Sequence, residues 1–85
     1  MPRIDPNKVL WKEVDGLVVV LLVSSGYFIE LNKIGSVIWK HLAQGKTVNE
    51  AINTMAETYD VSNEKLSSDV NAFIEEMMSQ GLLAG

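Results

Sequence analysis

Few side chains in this sequence could carry out catalysis. There is one imidazole, His41, and no thiol. A structural zinc site, which takes about four Cys or His ligands, is therefore excluded, as are a disulfide framework and a thiolate nucleophile. His41 has no second His or Ser beside it in sequence to act as a base partner, and it reads as a boundary residue of a helix. Glu75 and Glu76 are adjacent on a helical segment and so point in different directions, which argues against a paired general acid and base. Met77 and Met78 offer adaptable apolar surface, Met77 on the core side and Met78 outside it. No constellation suits a stand-alone enzyme, and no metal or other cofactor is called for.

The remaining chemistry belongs to the main chain and to apolar surface, so the elements that display them matter. With 85 residues, 47% of them hydrophobic, the chain makes one domain with no length for a second and little apolar material to spare for a deep pocket. Residues 1–8, with Pro2 and Pro6, show no period and are expected to be a loosely ordered arm; residues 9–85 form the domain. Between residues 9 and 31, β-branched and aromatic residues are interrupted by Asp15-Gly16 and by Ser24-Ser25-Gly26. This predicts strands at 9–14, 17–23 and 27–31 joined by tight turns, the first a type I′ turn.

Beyond Leu31 the apolar period lengthens to that of a helix, and three helices follow. Asn32 caps the first, whose stripe is Ile34, Val37, Ile38 and Leu42, and Gly45 ends it. Thr47 and Glu50 form a capping box for the second. Ser62 caps the third, with a stripe of Leu66, Val70, Phe73, Ile74 and Met77 and a stop at Gly81. The expected fold is α+β and winged-helix-like: a three-stranded antiparallel β-meander followed by a three-helix bundle on one face.

Charge narrows the partners. The net charge is −4, with six bases against four acids in residues 1–46 and one base against seven acids beyond. Such an acidic C-terminal half repels nucleic acid. No segment approaches the ~20 apolar residues of a membrane span, and no signal-like n-region opens the chain, so a cytoplasmic protein without a membrane partner is expected.

Two strands invite a partner. The second, Leu17-Val18-Val19-Val20-Leu21-Leu22-Val23, lacks alternation, so one of its faces is apolar yet points away from the helices. The longer set, Leu17, Val19, Leu21 and Val23, is expected in the core. That leaves Val18, Val20 and Leu22 for another protein or a weak homodimer. The third strand is a sheet edge whose free N–H and C=O groups can accept an added strand beside the third helix.

The run Gly26-Tyr27-Phe28-Ile29-Glu30-Leu31-Asn32, then Gly35, Ile38-Trp39, Gly45-Lys46-Thr47-Val48, Tyr59-Asp60-Val61, Asp69-Val70, Phe73-Ile74 and Gly81-Leu82-Leu83, resembles the PqqD-like family. The resemblance spans nearly the whole chain. It implies a RiPP precursor peptide recognition element of the pyrroloquinoline quinone or lasso peptide type. Such a domain catalyses nothing; it binds the leader of a ribosomally made peptide and presents it to a modifying enzyme, a radical enzyme or a leader peptidase.

On that resemblance the leader adds as a strand along Tyr27, Phe28, Ile29, Glu30 and Leu31. Val70, Phe73, Ile74 and Met77 would shape the groove, and Asp69 would select a basic leader residue. Proline at Ile29 is the expected way to block the edge. The alternative is a winged-helix DNA-binding regulator. Against it, the third helix carries one base, Lys65, among four acids.

Overall fold

The computed structural model describes residues 2–85. Three strands, β1 (Val9–Val14), β2 (Leu17–Leu22) and β3 (Tyr27–Glu30), precede three helices, α1 (Lys33–Ala43), α2 (Val48–Thr58) and α3 (Asn63–Ser79). The sheet is antiparallel in the order β1-β2-β3, the expected meander. Asp15 and Gly16 both take positive φ, 53° and 85°, as a type I′ turn demands, and this fixes Val14 opposite Leu17.

The caps act as the residue types require. Asn32, Thr47 and Ser62 each accept an N–H from the first turn of their helix, and Glu50 completes the capping box. At the end of α3, Leu82 N–H donates to Met77 C=O at 2.9 Å and Gly81 N–H to Met78 C=O at 3.1 Å. Gly81 has a φ of 77°. This is a Schellman ending, and it turns Leu82 and Leu83 into the core.

The core lies between the sheet and the helices and holds Val9, Val18, Val20, Ile38, Trp39, Met55, Val70, Ile74 and Met77. Trp39 is fully buried, with Trp11 edge-on to it at 6.4 Å between ring centroids. The parity of β2 is the reverse of the one expected. Val18 and Val20 are 0% exposed, Leu22 is half-buried beside them, and the longer set forms the outer face, where Val23 is 50% exposed. Counting apolar side chains misled, because register and not number decides which face is buried. The register places Lys12 and Glu30 either side of Val19, whereas Val18 has one charge beside it, Glu13, which stays exposed at the turn end of the sheet and pairs with Lys40 at 3.1 Å.

Ser36, outside the expected stripe of α1, is buried instead of Ile34, which is 38% exposed. Its Oγ accepts Val18 N–H at 2.8 Å and donates to Leu31 C=O at 3.3 Å. The hydroxyl thereby enters the ladder where β3 leaves the sheet. The segment ahead of β1 is anchored: Arg3 and Ala84 exchange two backbone hydrogen bonds of 2.8 Å. That long-range pairing has no signature in local periodicity. Met1, the first residue of the expected arm, lies outside the described residues. Among the described residues no helix is long and apolar enough to cross a membrane.

Candidate functional site

Among the described residues β3 pairs with β2 alone, so its other edge is free. Leu31 N–H donates to Val18 C=O at 2.8 Å. In an antiparallel ladder alternate residues address the same neighbour. Tyr27 and Ile29 therefore turn their main-chain groups to β2, and Phe28 and Glu30 turn theirs outward. Proline at Ile29 would break the ladder inside the sheet, which corrects the expected test. The position that removes an outward N–H near the groove is Glu30.

Towards this edge α3 presents Asp69, Phe73 and Glu76, each one residue ahead of the buried Val70, Ile74 and Met77 and thus about 100° round the helix, with Ala72 beside them and Gln80 as the C-cap. A cavity of about 210 Å³ lies between β3 and α3, bounded by Ile29, Glu30, Leu31, Phe73 and Met77. A second, of about 390 Å³, continues towards the start of α1 between Ile34, Gly35, Asp69 and Ala72. Asn32, Phe73 and Glu76 border both, so the Phe73 ring stands between them.

Gly35 makes room for that ring: a Cβ there would sit 2.8 Å from Phe73 Cε1. At the far end the Tyr27 hydroxyl donates to Gln80 Oε1 at 3.1 Å and ties β3 to α3. Asp69 and Glu76 bring acidic side chains to the two cavities, while Glu30 borders the smaller one from β3 with its side chain on the outer sheet face. The Asp69 carboxylate accepts from Lys65 Nζ at 3.3 Å on the exposed surface. An open main-chain edge beside a partly apolar groove with an acidic rim can hold an extended peptide and favours basic side chains on it.

The family described as Coenzyme PQQ synthesis protein D (PqqD) matches residues 17–83. The chain belongs to the PqqD family. Among solved structures, TbiB1 in complex with the TbiA(beta) leader peptide is similar at 28% identity, with a TM-score of 0.93 over 98% of this chain and 95% of that one. A lasso peptide synthetase B1 complexed with the leader peptide shares the fold at 20% identity and a TM-score of 0.88, over 99% and 98% of the two chains. No curated protein sequence matches at a significant level.

Within this PqqD-family fold the expected site residues divide. Ile29, Glu30, Leu31 and Phe73 border the cavity beside β3, with Met77 at its floor, 2% exposed. Asp69 borders the adjoining cavity, Tyr27 reaches the end of α3 through Gln80, and Phe28 turns its side chain to the outer sheet face. Val70 and Ile74 are 0% and 6% exposed and support the groove from the core without lining it. Their stripe is the one that buries α3, and the groove takes the next face round. Asn32, Ala72, Glu76 and Gln80 were not anticipated. Their signal was the spacing Asp69, Phe73, Glu76, Gln80, a second helical stripe whose mixed polarity hid it. His41 lies away from the groove, with Nδ1 3.1 Å from Lys46 Nζ.

Proposed function

We propose that this chain is a non-catalytic adaptor that binds the leader of a ribosomally made precursor peptide and presents it to a modifying enzyme, a radical enzyme or a leader peptidase. The leader adds as a strand to the free edge of β3, hydrogen-bonding to Phe28 and Glu30. Its alternate side chains enter the groove against Phe73, Ile29 and Met77, and a basic residue meets Asp69 or Glu76. The observation that carries this reading is the unpaired β3 edge facing the α3 groove, in a fold similar along almost its whole length to one solved with a leader peptide. A precursor made on ribosomes is met in the cytoplasm. DNA binding is disfavoured, because Lys65 is the only base on α3 and stands among Glu64, Asp69, Glu75 and Glu76.

Calorimetric titration with the leader of the precursor encoded beside this gene tests the reading. Wild type is expected to bind with a Kd between about 1 nM and about 10 μM. Glu30→Pro keeps the fold by circular dichroism, because an edge position tolerates proline, yet loses at least about tenfold in affinity. Wild type that binds duplex DNA in a salt-dependent way and no leader would reverse the assignment.

A further inference from the structure

Among the described residues no element covers the outer face of the sheet, and the register determines what it displays. Leu10, Leu21 and Phe28 lie abreast across the three strands, and so do Lys12, Val19 and Glu30. Leu10 and Phe28 are 58% and 68% exposed, the two most exposed large hydrophobic side chains of the described residues. An in-register apolar row of this kind marks a contact surface. Lys12 and Glu30 are exposed on opposite sides of Val19, and among the described residues neither joins an ion pair within the chain.

One symmetry operation makes this face complementary to itself. A two-fold axis along β2, lying between two sheets packed face to face, exchanges the β1 and β3 sides and keeps every row at its own height. Lys12 then meets Glu30 of the second copy, and Glu30 meets its Lys12. Leu10 meets Phe28, while Val19 and Leu21 each meet their own counterparts. An axis across the strands lays β1 on β1 and leaves the charges unmatched. Tilting the axis by about 15° from β2 gives the ~30° angle of aligned sheet packing.

We propose that the outer sheet face joins two copies of this chain about a two-fold axis along β2, with reciprocal Lys12–Glu30 pairs. The face measures about 14 by 20 Å, small beside the ~800 Å² per partner of a standard interface, so the dimer is weak. Strand addition at β3 extends the sheet sideways, so both edges stay open in the dimer and the groove is uncovered.

Sedimentation equilibrium from about 10 μM to about 1 mM tests it. Wild type self-associates in that range, and Lys12→Glu and Glu30→Lys, both at exposed sites, each weaken the homodimer about five- to tenfold by opposing like charges. Mixed in equal amounts, the two variants pair more tightly than either does alone, to within about twofold of wild type, because both charge pairs are restored. A wild type that is monomeric throughout overturns the proposal, including where the face proves to dock another protein. Self-association without recovery in the mixture overturns the two-fold arrangement.

Discussion

Phe73 is the side chain that shapes the groove, and Gly35 allows it to lie where it does. Alanine at Gly35 would be a good helix residue, but its Cβ meets Phe73 Cε1 at 2.8 Å and Asn32 Oδ1 at 3.2 Å. The ring is half-buried and can move outward. Gly35→Ala is therefore expected to change stability by no more than about 1 kcal/mol, helix propensity offsetting the crowding. Leader affinity should fall about fivefold or more as the ring enters the cavities. Denaturant unfolding and calorimetry on one variant check both, and unchanged affinity would remove Phe73 from the site. His41 offers a pH test independent of the groove. Burial first, then the charges of Lys46 and Lys40, hold its imidazole below the ordinary value. A base whose folded pKa is lowered resists protonation in the folded state. Its contribution is thus fully present above the unfolded value of about 6.5 and is lost as the pH falls through that region. The melting temperature should fall between about pH 7.5 and about pH 5.5, and His41→Gln should flatten that fall. An identical fall in the variant would contradict the assignment. Asp69 and Phe73 were legible through the family resemblance, which sets the third helix beside the third strand; Glu76 and Gln80 were not, because polar residues on a helix usually face solvent.

At the scale of elements, turns and caps were legible because a few residue types satisfy each: Asp15-Gly16, Thr47 with Glu50, and Gly81 with Leu82 are local chemistry. The parity of β2 was not, since its sequence holds no polar residue to mark a face. The mark lay on its neighbours, where the turn register sets both Lys12 and Glu30 opposite Val19. The corrected parity predicts opposite outcomes for adjacent positions. Val20→Thr buries a hydroxyl at a site with 0% exposure and should cost about 1–3 kcal/mol. Leu21→Thr, on the outer face, should cost less than about 1 kcal/mol. Chemical denaturation of the two variants decides between the parities: a larger loss at Leu21 would restore the one first expected. Ser36 could not be found by periodicity either, because its burial follows from the ladder position it fills between Val18 and Leu31.

Across the whole molecule, the sheet supplies a main-chain edge, α3 supplies the wall that faces it, and the acidic side chains of α3 border the groove. The fold was legible in outline because two hairpins and three capped helices leave one simple way to share a core. The anchoring of Arg3 to Ala84 was not, since it joins the two ends of the sequence. In the proposed function the leader is held through the outward main-chain groups of β3. Amide hydrogen exchange of the free and leader-saturated protein, resolved by residue, addresses this most directly. Leader binding should slow exchange at Phe28 and Glu30 more than at Ile29, which faces β2, more than at Tyr27, whose N–H donates to Ser25 Oγ at 3.2 Å, and more than at any amide of β1. Saturating leader binding that leaves Phe28 and Glu30 unchanged, or that protects the β1 edge instead, would contradict strand addition at β3.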